Sequence, residues 1–258
     1  MKILFESVGQ TTIKFIADIG GLFLMIVGVI RALPTVFKRI KLVLEQMLMM
    51  GVRSLPLVIL TSIFTGSVTA WQAAYQFKGF VPLEWLGLTV AKSVFIELGP
   101  VLTSLVIAGR VGASIAAELG TMRVTEQIDA MESMGIDPIG YLVMPRMIAG
   151  IIMVPVLVMF ANIIAIAGGM LVAIYMVNIS MEMFTESIRS YVYISDVISG
   201  LQKAVGFGGI IALMGCYNGF NASGGAEGVG QATTKAVVLA SVLILIADYV
   251  MATILFSV

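Results

Sequence analysis

The stretch ELGPVLTSLVIAGRVGASIAAELGTMRVTEQIDAMESMGIDPIGYLVMPR, residues 97–146, decides the fold. It begins inside an apolar run, leaves that run at Arg110, carries a short charged segment, and re-enters an apolar run through Pro145 and Arg146. That is the pattern of a cytoplasmic bridge between two membrane helices. Within the bridge Thr121 is placed to cap a helix and Gly135 to end it, while Val124, Ile128 and Met131 fall at i, i+4 and i+7 on one face. Arg123, Glu126, Gln127, Asp129 and Glu132 cover the rest of the surface. A helix this short is marginal alone in water, so its order depends on packing against something else. Two readings stand: a solvated loop helix on the membrane surface, or a docking helix over residues 121–135 offered to a soluble partner.

The composition around the bridge agrees. Of 258 residues, 59% are hydrophobic and 12% charged, with a mean hydropathy of +1.06. A soluble domain carries about a quarter charged residues, so this is an all-α polytopic membrane protein. Fifteen basic and fifteen acidic side chains cancel, which gives no reason to expect nucleic acid as a partner. Histidine is absent and Cys216 is the single cysteine, which removes a disulfide framework, His/Cys zinc sites and His-dependent catalysis. No metal site and no catalytic residue is expected, and Cys216 reads as a small packing residue. No Gly-Lys pair occurs, so the phosphate-binding loop GxxxxGK[ST] is missing and any ATP must be hydrolysed by another chain.

Run length divides the chain. Residues 19–30 hold twelve uncharged positions between Asp18 and Arg31. A span needs about 20, so this run is expected to lie in the membrane interface, followed by a basic connector with Lys38, Arg39 and Lys41. Five spans follow, at about residues 54–76, 89–112, 147–176, 199–217 and 235–257. Tracks of small residues, Ala108/Gly112/Ala116, Gly109/Ala113/Ala117 and Ala161/Ala165/Gly169, mark faces where helices approach closely. Seven of the fifteen Lys and Arg lie in residues 1–53, and Arg110, Arg123, Arg146 and Lys235 flank or occupy the bridge and the last connector. The positive-inside bias therefore puts the N-terminus and the bridge in the cytoplasm and the C-terminus outside.

Ionisable side chains inside a span are costly enough to count as functional candidates. Glu97, Lys203 and Asp248 qualify, and all three fall in the outer halves of their spans. Either Lys203 pairs with one of the two acids, or the three form a polar patch in a substrate cavity; the two readings are compatible. Pro100, close behind Glu97 and Gly99, removes a helical donor and is expected to kink the helix there.

The wording of the sequence goes further. ELGP (97–100), AGRVGASIAAELGTMRVTEQIDAM (108–131), MGIDP (134–138) and MPR (144–146) resemble the core of the MlaE (YrbE) family, permease subunits of ABC transporters that work with MCE-domain proteins. The likeness continues more loosely through YNGF (217–220), ATTKAVV (232–238) and ADYV (247–250), and covers roughly residues 45–258. It implies a permease domain over 51–258, preceded by an N-terminal segment, 1–50, of interfacial helix and connector. It implies a multi-pass inner-membrane homodimer with a periplasmic C-terminus. An ABC ATPase, which holds the ATP, would dock on the bridge through Arg123, Glu126, Gln127, Asp129, Met131 and Glu132. An MCE-domain ring, taken as hexameric, would sit above, and a small STAS-domain protein accompanies the ATPase in many relatives. The implied cargo is phospholipid, moved between the inner membrane and the outer envelope to maintain lipid asymmetry, with Glu97, Lys203 and Asp248 as substrate contacts and no cofactor in this chain. Two rival readings are an ion-gradient-driven carrier using Glu97 or Asp248, and a structural membrane anchor for an MCE ring.

Overall fold

The computed structural model describes residues 2–255 and is all-α, with no strand among the described residues. Five segments are long and apolar enough to cross a membrane: Ile16–Phe77, Leu83–Val124, Ile139–Tyr175, Ile194–Phe220 and Gly225–Leu255. The number matches the expectation, but the helices run further than the apolar runs that announced them.

The first segment is compound. Helix α1, Lys2–Ala32, covers 31 residues and takes in the mixed stretch before the apolar run of 19–30. Nothing before Pro34 breaks it, so the helix extends through the mixed N-terminal stretch. It ends in a 3₁₀ stretch, Leu33–Arg39, opened by Pro34, and α2, Ile40–Met50, follows. Helix α3, Leu55–Phe77, carries Pro56 in its first turn, where a missing N–H is harmless. Asp18 ties α1 to the bundle: Tyr217 Oη donates to its Oδ1 at 3.1 Å, and Lys235 Nζ lies 3.6 Å from its Oδ2.

The second segment is a single helical run made of α4 (Leu86–Ser93), α5 (Gly99–Ile107) and α6 (Ala113–Val124), joined by π-turns at Val94–Leu98 and Ala108–Gly112. A third π-turn, Ile139–Val143, opens the long α8, Met144–Tyr175. Two of the three have one cause. Gly99, just before Pro100, donates to Val94 O five residues back, and Met144, just before Pro145, donates to Ile139 O in the same way. Widening the turn to i→i−5 relieves the clash between a proline ring and the carbonyl four residues earlier without ending the helix. The kink expected at Gly99-Pro100 therefore takes the form of a π-turn.

The bridge differs from its expected form. Thr121 does not cap a helix; it lies inside α6, where its hydroxyl donates to Ala117 O at 2.8 Å. The helix breaks at Glu126, whose φ of 60° is left-handed, and α7 is only Gln127–Ser133. Gly135 does end α7, with φ +76° and Ile136 N–H donating to Met131 O. Asp137 then starts the next helix by accepting from the N–H groups of Ile139 and Gly140, both at 3.1 Å.

On the opposite side, α9 (Met181–Tyr191) begins at Ser180, whose Oγ accepts from Met183 N–H, and is pinned by buried Phe184. Helix α10, Ile194–Phe220, starts five residues before the expected span because Asp196 closes its first turn, accepting from Tyr193 N–H at 3.1 Å. Helix α11, Gly225–Leu255, starts at the glycine pair Gly224-Gly225, both with positive φ. The connector expected at 218–234 shrinks to 221–224. Polar small residues such as Thr233, which donates back to Val229 O, extend α11 instead.

Small residues set the packing, because lipid tails offer no hydrophobic drive between helices and close backbone approach must supply it. A Cβ on Gly66 of α3 would run into the carbonyl oxygen of Ala165 on α8, and one on Gly168 would lie 2.6 Å from Ile63 O. Gly150 of α8 sits as tightly on Gly208 of α10. The track Ala108/Gly112/Ala116 is buried, with Gly215 and Gly219 of α10 each 3.1 Å, by the same measure, from the oxygens of Gly112 and Ala116. Gly109, on the other track, faces open space.

Candidate functional site

The three ionisable residues picked out by cost alone meet at one point. Lys203, on α10, is 0% exposed; its Nζ donates to Glu97 Oε1 at 2.8 Å and lies 2.9 Å from Asp248 Oδ1 on α11. The choice between the two acids does not arise, because the ammonium bridges both.

Local structure aims each partner. Glu97 sits in the Val94–Leu98 π-turn, where the widened helix turns the carboxylate toward α10. Gly200 presses that turn from α10: a Cβ there would meet the carbonyl of Phe95, and Pro100 Cγ is 3.1 Å away. Lys203, three residues on from Gly200, shares its face. Gly99 in turn backs onto Asn162 of α8, whose Oδ1 occupies the space a side chain would need. The proline-driven turn is thus clamped between α8 and α10, and the Glu97 backbone is held from both sides.

The electrostatics are asymmetric. The Glu97 side chain is 42% exposed and that of Asp248 is 20% exposed, so the carboxylates reach the surface while the ammonium stays inside. Formally the cluster carries one positive and two negative charges. An ion pair out of water is favourable only when its charges are well matched and bonded; here Lys203 hydrogen-bonds Glu97, while its contact with Asp248 Oδ1 is one of charge at 2.9 Å without hydrogen-bond geometry. The outward-facing carboxylate oxygens are left to take hydrogen bonds from an ammonium or hydroxyl group.

The bridge residues form a separate surface. Glu126, Gln127, Asp129 and Glu132 are exposed, Arg123 is half-buried and ion-paired to Asp129, and Met131 is half-buried beside the buried anchor Ile128. Ile128 fixes α7 to the core and leaves the polar face outward, although Val124 belongs to α6 and does not share the α7 face.

Sequence reasoning passed over several polar residues. Arg146 is buried, donates to Leu142 O at 2.7 Å and lies 2.8 Å from Glu118 Oε1, so it braces the entry of α8 against α6. Arg110 donates to Ser54 Oγ at 2.6 Å, joining the foot of α3 to the second segment. Asn162 is a lone polar residue in the apolar run of α8, and that isolation was the signal available for it. Among the described residues no group of His, Cys, Asp and Glu is arranged to hold a metal ion.

The comparisons with known proteins bear on this architecture directly. The family model described as Permease MlaE matches residues 43–254. A probable ABC transporter permease protein of Rickettsia typhi is 45% identical over 255 residues, covering 97% of each chain. The intermembrane phospholipid transport system permease protein MlaE of Haemophilus influenzae is 35% identical over 253 residues, 98% of this chain and 97% of its own. A chloroplastic protein of Arabidopsis thaliana, TRIGALACTOSYLDIACYLGLYCEROL 1, is 38% identical over 214 residues, 83% of this chain and 61% of its own. With five membrane-crossing segments, a π-turned ELGP helix and a family match that spans nearly all of them, the chain is a multi-pass membrane protein that belongs to the MlaE permease family.

Proposed function

We propose that this chain is the permease subunit of an ATP-driven phospholipid transporter of the inner membrane, in which the Lys203 cluster contacts the lipid headgroup. The observation that carries the reading is the cluster itself: a buried lysine at the junction of three spans, with two half-open carboxylates, in a family where a relative is named for intermembrane phospholipid transport. A headgroup passing through an apolar membrane core needs a few placed polar groups, and the spans supply few others. The carboxylates suit the ammonium or hydroxyls of a headgroup; Lys203, once one acid turns to the substrate, is available to its phosphate.

Energy enters from outside the chain. An ABC ATPase docks on α7 through Glu126, Gln127, Asp129 and Glu132, with Arg123 fixing Asp129 and Met131 at the rim. Two copies of the permease form the transmembrane core, an MCE-domain ring receives lipid on the far side, and a STAS-domain protein attends the ATPase. The N-terminus and α7 face the cytoplasm, in keeping with the Lys/Arg bias, with α1 lying in the interface.

Affinity purification from native membranes in mild detergent, followed by identification of partners and extraction of bound lipid, tests partner and cargo together. An ATPase and phospholipid should be recovered with the wild-type chain, and charge reversal at Asp129 and Glu132 should lower ATPase recovery about tenfold with the permease still folded. Recovery of the chain without any ATPase favours the ion-driven carrier or the structural anchor.

A further inference from the structure

A second polar site lies toward the other end of the second segment, around Arg110. Arg110 is thirteen residues from Glu97 along that segment, about 20 Å at 1.5 Å per residue, so the two sites are well separated along the bundle. Between α2 and the π-turn that leads into α6 lies a cavity of about 240 Å³. Buried Met50, Val111 and Ile115 make its floor; Gln46, Arg53, Arg110, Ser114 and Glu118 stand around it.

The charges here are unbalanced. Glu118, the one acid in the wall, is engaged by buried Arg146 at 2.8 Å. Among the described residues Arg110 donates only to the neutral Ser54 hydroxyl, and Arg53 has no acidic partner within 4.0 Å. Two guanidinium groups thus face a small apolar-floored cavity with a hydroxyl and an amide beside them. Guanidinium forks match phosphate geometry, and an uncompensated pair of them in a partly enclosed site favours an anion. The setting selects the source of that phosphate. Arg53 stands at the foot of α3, at the depth of lipid headgroups, and α2 exposes Leu44, Leu48 and Met49 along its length. The cavity has room for a headgroup, while acyl chains can lie only outside it, on those apolar side chains.

We infer that Arg53 and Arg110 form a binding site for the phosphate of a membrane phospholipid in the leaflet on the bridge side, separate from the Lys203 cluster.

Native mass spectrometry of the full chain released from detergent tests this, with dioleoylphosphatidylglycerol as probe and dioleoylglycerol, which has the same chains and no phosphate, as control. The wild type should retain the phospholipid at least tenfold over the diacylglycerol, and Arg53→Gln/Arg110→Gln should lose that preference. Ser114→Asp keeps both arginines and the Ser54 contact but places a negative charge in the cavity. It should lower retention about as far, which covers the case in which the arginine variant does not fold. Lys203→Met/Glu97→Gln/Asp248→Asn, which alters only the other site, should leave the Arg53/Arg110-dependent share of retention unchanged. Inorganic phosphate at 10 mM should not displace the lipid; displacement would mean that the site takes free phosphate and would overturn the lipid assignment. Equal retention of both probes by the wild type, or undiminished phosphatidylglycerol retention in both cavity variants, would overturn the site.

Discussion

Lys203 gives the residue scale its sharpest test, because its two acids are redundant toward it and it is not redundant toward them. Neutralising either acid leaves the ammonium with the other, so Glu97→Gln or Asp248→Asn alone should change thermal stability by only about 1 kcal/mol or less. Lys203→Met leaves two carboxylates facing each other in a poor solvent and should cost about 3–5 kcal/mol; adding Glu97→Gln and Asp248→Asn should recover most of it. Thermal unfolding of the purified variants in one detergent gives these values, and additive losses across the set would contradict the shared pairing. The members of the cluster were legible in the sequence because a charge inside an apolar run stands out by its cost. Their joint meeting was not, since it depends on the Gly200 contact and on a π-turn that Pro100 permits but does not by itself specify. Arg146 escaped because it sits at the edge of an apolar run, where an arginine reads as a flank, although it is buried against Glu118.

At the scale of elements, helix contacts made through glycine should be the least tolerant positions in the chain. Gly66→Ala forces a methyl into the carbonyl of Ala165 and should separate α3 from α8, destabilising by about 1–3 kcal/mol or more. Gly109→Ala, facing open space, is the matched control and should be nearly neutral in the isolated permease. Equal melting temperatures for the two variants would argue against tight α3/α8 packing. The number of spans could be read from the sequence because apolar run length has few alternative explanations. Their ends could not. Asp196 and the Gly224-Gly225 turn move two helix starts outward, and the left-handed Glu126 splits a bridge helix that the spacing of Val124, Ile128 and Met131 presented as continuous.

At the scale of the whole molecule, the proposed orientation places α7 and the α10–α11 connector on one side and α9 on the other. In a Cys216→Ser background, a cysteine at Asn221 should be labelled by an impermeant maleimide only after the cytoplasmic face is opened, and one at Asn178 from the outside of intact spheroplasts. The reverse pattern would invert the orientation. The Lys203 cluster and the Arg53/Arg110 cavity then lie toward opposite leaflets. ATP-dependent transport in proteoliposomes is the most direct measurement: the permease is reconstituted with the proposed ATPase and MCE partners, and transfer of a fluorescent phospholipid to the MCE protein is followed. The wild type should transfer lipid, or take it up in the reverse direction, only with ATP, and Lys203→Met/Glu97→Gln/Asp248→Asn, stable but without charge, should lose at least tenfold in rate. Transfer that ignores ATP, or a charge-free cluster that transports at the wild-type rate, would contradict the proposal.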